Sequence, residues 1–438
     1  MIDLIPIWMF IALFIFVFAG IPVALSLIAI ASGFGLLIFG DSLFLQLYGS
    51  ILHTASNFTL SAIPLFILMG ALLEQTGLAL RLFKALQLWM GRFPGGLAIS
   101  TISMCAIFAA ASGVVGAVEI VVGMMALPAM AKYKYDQSLM AGTVCAGGSL
   151  GTIIPPSIVV VVYSSMAQLS IGQLFAASLL PGLIMVGLFI LYILVACRIN
   201  LRLGPPSTEA NDISVKEKLN ATVTAIIPPM LLIAAVLGSL LLGIASPTEA
   251  AAVGAAGAVI LALSFKELTL EKFINALKST IKITAMIMLI VMGGTMFTSI
   301  FAVAGGGWMI TDWVDELNMG PYGLIFLLMA VVFIAGFVLD WISVVLIFVP
   351  IFTPLVKSAG IDPIWFAVMF MVVIQTSYLT PPMAPSIFYL KSIAPKSMTY
   401  AHMYKGVMPF VIIQLLVLAI VVVMPSVATY LPSLITAR

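Results

Sequence analysis

Two segments of the chain, 226 residues apart, combine the residue types that bind small ions inside a bilayer. In the first, GGSLGTIIPPS at 147 to 157, Gly147, Gly148 and Gly151 precede Pro155 and Pro156, and Ser149, Thr152 and Ser157 add hydroxyls. Glycines remove side chains and prolines remove amide donors, so a helix running through this stretch must break. A break frees carbonyls at the C-end of one half-helix and amide groups at the N-end of the next. Carbonyls and hydroxyls are hard oxygen ligands suited to Na⁺, and the positive end of a half-helix suits a carboxylate. The second segment, QTSYLTPPMAPS at 375 to 386, repeats the pattern with Gln375, Thr376, Ser377, Thr380, Pro381 and Pro382. The Gly147-to-Gly151 spacing alone would equally suit close helix packing. The double proline and the second copy favour binding.

Two longer apolar segments are interrupted near their centres. AASGVVGA, within 96 to 131, offers Ser112, Gly113 and Gly116, and GFVLDWIS, within 321 to 357, offers Gly336, Asp340 and Ser343. A bare acid inside a bilayer costs at least ~2.5 kcal/mol, so each acid there needs a partner or a task. Asp340 either helps bind a cation or caps a helix, and Glu119, one turn past the first interruption, has the same two readings. Glu249 belongs to Ser246-Pro-Thr-Glu, a capping box. Pairing each interrupted tip with one broken helix would give two cation sites with substrate between them.

The elements that hold these residues follow from composition. Of 438 residues, 63% are hydrophobic and 8% charged, with mean hydropathy +1.27. Soluble chains carry roughly 25% charged residues, so the fold expected is an all-α polytopic membrane protein. A net charge of +2 suggests no nucleic acid partner. Cys105, Cys145 and Cys197 lie in apolar runs without metal or disulfide spacing, and His53 and His402 are far apart. No Walker A sequence, nucleophile constellation or metal-ligand cluster is present, so the chain reads as a transporter driven by an ion gradient, with no cofactor, and not as an enzyme. The start, MIDLIPIWMF, lacks a positive n-region and reads as a retained first span.

Full crossings are expected near 4 to 19, 21 to 39, 59 to 75, 137 to 168 and 171 to 198, then 222 to 243, 246 to 265, 283 to 303, 363 to 392 and 404 to 425. The interrupted segments 96 to 131 and 321 to 357 read as re-entrant helical hairpins. Pro128 with Pro155-Pro156 matches Pro354 with Pro381-Pro382 at an offset of 226, and Met69-Gly70 matches Met292-Gly293 at 223. The chain therefore reads as two repeats, 1 to 200 and 221 to 438, joined by a polar cytoplasmic linker at 201 to 220. Five crossings each, an odd number, would invert the second copy, the plan of secondary transporters. With both termini periplasmic, all of the 18 lysines and arginines except Lys357 and Arg438 fall in cytoplasmic loops. Amphipathic stretches at 78 to 93 and 270 to 283 read as helices lying in the interface, contacting lipid.

These motifs resemble those of the large membrane subunit of tripartite ATP-independent periplasmic (TRAP) transporters, and the resemblance spans essentially the whole chain. It implies Na⁺-coupled import of a small carboxylate, such as a C4-dicarboxylate or sialic acid, across a bacterial inner membrane. It also implies an elevator mechanism with scaffold and transport domains, a small four-helix membrane subunit as partner, and a periplasmic binding protein that delivers substrate. Carried over, one Na⁺ lies near Ser112, Gly148 and Ser149, and a second near Asp340, Gln375, Thr376 and Thr380. The stand-alone divalent anion/Na⁺ symporters share the architecture but carry Ser-Asn-Thr at both tips, where this chain has Ser112-Gly113-Val114 and Asp340-Trp341-Ile342. An intramembrane enzyme or a passive channel are the remaining alternatives. Because every lysine and arginine falls outside the two breaks, neutralisation of a carboxylate is expected from Na⁺, half-helix dipoles or the delivered complex.

Overall fold

A computed structural model of the chain describes residues 4–112, 115–207, 214–317 and 319–436. Its regular elements are all helical, as an apolar chain requires when no water can satisfy backbone groups inside a bilayer. The first half contains α1 (Ile5–Phe18), α2 (Val23–Phe39), α3 (Leu43–Ala55), α4 (Ala62–Gln75), α5 (Leu78–Met90), α6 (Gly96–Ser112), α7 (Val115–Lys132), α8 (Gln137–Ser149), α9 (Ile158–Ala167) and α10 (Ile171–Ile199). The second contains α11 (Val215–Ala221), α12 (Ile227–Leu241), α13 (Pro247–Ser264), α14 (Leu270–Val303), α15 (Gly306–Glu316), α16 (Pro321–Ala335), α17 (Trp341–Ser358), α18 (Pro363–Leu379), α19 (Pro385–Ile393), α20 (Tyr400–Val423) and α21 (Ser426–Thr436). Eight helical stretches among the described residues are long and apolar enough to cross a membrane.

Both interrupted segments form helix pairs, α6 with α7 and α16 with α17, and both doubly prolyl segments divide where expected, between α8 and α9 and between α18 and α19. Their starts are also alike. Asp136 caps α8 by accepting from the N–H groups of Ser138 and Leu139 (2.9 and 3.1 Å), and Asp362 caps α18 through Ile364 and Trp365 (2.7 and 3.1 Å). The capping box of Ser246 and Glu249 starts α13. Two expectations need correction. The stretch 270 to 283 is not a separate surface helix, because α14 runs unbroken for 34 residues through it and the following crossing. Residues 40 to 58, left unassigned from sequence, contain α3.

The halves interleave. α8 packs on α20, α9 on α17 and α7 on α19, while α14 packs on α2 and α4 and α13 packs on α4. α8 and α18 are deeply enclosed, with every residue from Ser138 to Ser149 and from Trp365 to Leu379 buried. At the edge, Glu267 joins α5 to the start of α14. Hydrogen bonding and charge from Lys272, then from Arg81 at 3.1 Å, hold its carboxyl below the usual range.

Gly142 and Gly406 set the α8–α20 crossing. A Cβ on Gly142 would fall on the backbone carbonyl of Gly406, and one on Gly406 on the carbonyl of Ser138. Backbone cannot yield as a side chain can. Gly406→Val is therefore expected to cost at least ~3 kcal/mol, the upper range of overpacking, and to remove most monodisperse protein from detergent extracts on size-exclusion chromatography. Gly238→Ala on α12, where a Cβ would meet nothing within 4 Å, is the control and leaves the profile unchanged.

Candidate functional site

Both breaks are built alike. α8 passes into a short turn at Leu150–Thr152, a cis Pro155–Pro156 bond follows, and Ser157 is the extended residue before α9. α18 ends at Leu379, Thr380 is extended, a cis Pro381–Pro382 bond follows, and Pro385 opens α19. The hydroxyls expected to serve as ligands turn back on their own segments. Ser149 Oγ donates to the Ala146 carbonyl (2.8 Å), Thr152 Oγ1 to Ser149 (2.9 Å) and Ser157 Oγ to Thr152 (2.9 Å). Thr376, Ser377 and Thr380 donate likewise to Val372, Ile374 and Thr376 (2.7, 2.9 and 2.6 Å). Each hydroxyl oxygen keeps lone pairs, so it can still accept from a donor or a cation.

Between the breaks lies a polar centre made from both halves. Gln375 Nε2 donates to Ser149 Oγ at 3.1 Å, and Gln414 Nε2 of α20 donates to the same oxygen at 3.3 Å. All three side chains are fully buried, and the Oε1 atoms of Gln375 and Gln414 have no hydrogen-bond partner. Buried oxygens without a donor are rare in native structures. Carbonyl oxygens of this kind are chemically fit to meet a hard monovalent cation. The structure thus joins Ser149, expected near one cation, to Gln375, expected near the other. Gln414 was missed in the sequence, where VIIQLLVL marks it only as one polar residue in an apolar helix.

The tips differ. Asp340 caps α17: it accepts from the N–H groups of Ile342 and Ser343 (3.0 and 3.4 Å) and from Ser343 Oγ, which occupies both of its oxygens. Gly336 lies so close to α18 that a Cβ there would overlap Ser377. In the first tip Gly113 lies outside the described residues and Ser112 ends α6. Gly116 rests on the ring of Tyr389, 3.0 Å from the place of its missing Cβ. Glu119 is fully buried, its Oε1 accepting from Ser386 Oγ of α19 at 2.7 Å and the Tyr378 hydroxyl lying beside the same carboxylate. Its stem occupies the space a side chain on Gly148 would need, and Gly147 makes the same allowance for Cys105. Gly151 is buried in the turn after α8.

A cavity of about 990 Å³ joins these parts. One wall brings Gly116, Gly336, Asp340, Ser377, Tyr378 and Tyr389 together, so both tips and the second break meet there. Residues of α2 and α14 complete the lining. Ser149, Gln375, Thr376 and Thr380 do not line it, which leaves the Ser149 centre buried behind the wall.

The profile of "Tripartite ATP-independent periplasmic transporter, DctM component" matches residues 10–427. The chain belongs to this family. It is 32% identical to the C4-dicarboxylate TRAP transporter large permease protein of Pseudomonas aeruginosa, over 87% of this chain and 88% of that one. The ectoine/5-hydroxyectoine TRAP transporter large permease protein of Ruegeria pomeroyi is 30% identical, over 97% and 98%. Among solved structures, the YdaH transporter of Alcanivorax borkumensis superposes with a TM-score of 0.65 at 15% identity, covering 96% of this chain and 97% of that one, which is likeness of fold. The chain is thus a TRAP large permease, a multi-pass membrane protein and the large component of a tripartite secondary transporter, as its motifs led one to expect. The relatives point to transport and away from catalysis, and they also carry different cargoes.

Proposed function

We propose that this permease imports a small carboxylate across a bacterial inner membrane, driven by Na⁺. The observation that carries the reading is the meeting of both tips and the second break on one cavity, with the donorless oxygens of Gln375 and Gln414 behind it. Oxygens in that state attract a cation, and a bound cation would in turn favour an anion in the cavity beside it. Ser149, Gln375 and Gln414 are the residues present that fit Na⁺ on this ground. The relatives' cargoes, a C4-dicarboxylate and the zwitterion ectoine, both bear carboxylates.

The movement we infer is of elevator type. The tips and broken helices, with α6 to α9 and α16 to α19, would travel against α2, α4, α13 and α14. Support comes from the repeat offset of 226, which relates Asp136 to Asp362 as caps and one cis prolyl pair to the other. The same offset relates Ser149 to Gln375, which bond to each other. Two inverted repeats, 1 to 200 and 221 to 438, with both termini periplasmic, accommodate these matches. A small four-helix membrane subunit and a periplasmic binding protein would complete the system. In proteoliposomes holding the complete transporter, an inward Na⁺ gradient is expected to drive uptake of succinate, sialic acid or ectoine severalfold above an equal K⁺ gradient. Equal uptake in both ions would rule out Na⁺ coupling.

A further inference from the structure

Lys282 was expected in a cytoplasmic loop, yet it lies inside α14 and lines the cavity. Its helix presents one continuous face to that space. Ser279, Lys282, Ile283, Met286 and Ile290 follow the three-and-four spacing of a single helix side, apolar except at its first turn. Among the described lining residues Lys282 is the one cation and Asp340 the one acid. Asp340 is occupied with its own cap, through Ile342 and Ser343. Among the described residues no carboxylate or carbonyl pairs with Lys282. Lys282 is exposed, and an exposed ammonium on the lining of a mostly apolar cavity, whose one lining acid is already engaged, attracts an anion that enters from outside.

We infer that Lys282 is the fixed positive charge that receives the carboxylate of the cargo in this cavity. This rests on the carboxylate reading above and revises the expectation that neutralisation comes only from Na⁺, dipoles or the delivered complex. Lys282 stands on α14, a helix that belongs to neither tip pair. If the tips travel with the cargo, Lys282 stays behind, so it acts at one end of the cycle, as cargo passes the mouth of the cavity, and not throughout transport. Its removal should therefore weaken the apparent affinity for cargo more than the response to Na⁺. The reach of the effect should also follow cargo charge, being larger for dianionic succinate than for zwitterionic ectoine.

The test is uptake by the reconstituted transporter, with succinate, sialic acid and ectoine as probes. Lys282→Gln is expected to raise KM for an anionic cargo about tenfold, the usual scale for losing one charge-assisted hydrogen bond, with the Na⁺ dependence unchanged. Lys282→Arg keeps the charge and should stay within about threefold of wild type, while Lys282→Glu should abolish uptake of anions. A merely structural lysine would lower the amount of folded protein, or kcat alike for all cargoes, without this ordering by charge. Wild-type KM in Lys282→Gln, with wild type itself transporting a carboxylate, overturns the inference and leaves the carboxylate reading intact. Failure of the wild type to transport any of the three overturns both.

Discussion

Ser149→Ala is expected to destabilise the permease by about 3 kcal/mol. The Ser149 oxygen accepts from both Gln375 and Gln414 while donating to Ala146. Alanine removes it and leaves two carboxamide donors facing an apolar methyl, where no water reaches. Each buried donor left unpaired costs about 1–3 kcal/mol, and partial rotation of the amides toward other acceptors holds the sum near the lower half of that range doubled. By contrast Ser178, also fully buried, bonds only to the carbonyl of Phe175 within its own helix, so Ser178→Ala should change little. Thermal unfolding of purified protein in detergent gives the comparison. The variant pair Ser149→Ala with Gln414→Leu should melt above Ser149→Ala alone, because leucine withdraws one stranded donor together with the donorless Oε1. A Ser149→Ala midpoint equal to wild type would show that the glutamines find other partners, and the centre would lose its structural meaning.

Much of this architecture was legible because it is written in residues that act alone. A proline removes a donor whatever surrounds it, so Pro155-Pro156 and Pro381-Pro382 located both breaks. Gly336 and Asp340 located the second tip. What the sequence hid depends on partners remote along the chain. Gln414 meets Ser149 265 residues away, and Glu119 meets Ser386 267 residues away, so neither contact leaves a local pattern. The two readings of Asp340 differ in whether its oxygens face Ile342 and Ser343 or a foreign ion, which spacing alone leaves equal. The length of the helix carrying Lys282 was hidden for another reason. The stretch 270 to 283 is amphipathic and ends in lysines, like a separate surface helix, but KSTIKITAMI contains no glycine or proline, and nothing stops α14 from continuing to Val303.

Gly336→Ala is expected to lower uptake tenfold or more while leaving the amount of folded protein nearly unchanged. Gly336 ends α16 with φ −68°, an ordinary backbone that alanine adopts freely, so its importance lies in space and not in conformation. The added methyl would overlap the Ser377 hydroxyl and come within 2.8 Å of Ser377 Cβ. Ser377 is held by its bond to the Ile374 carbonyl inside the buried stretch of α18 from Trp365 to Leu379. The tip, which borders an open cavity, is the part that yields. A tip displaced into that cavity neither closes on cargo nor seats against the second break, whereas the packing that holds α18 to α20 is untouched. Overpacking of this size costs about 1–3 kcal/mol, and every 1.4 kcal/mol taken from the closed state is tenfold in its population. The rescue discriminates the cause. Ser377→Ala retains the Cβ and should not restore Gly336→Ala, while Ser377→Gly removes it and should restore much of the uptake, provided Ser377→Gly alone is active. Wild-type uptake by Gly336→Ala, or equal rescue by alanine and glycine at 377, would mean that the tip does not close through this contact.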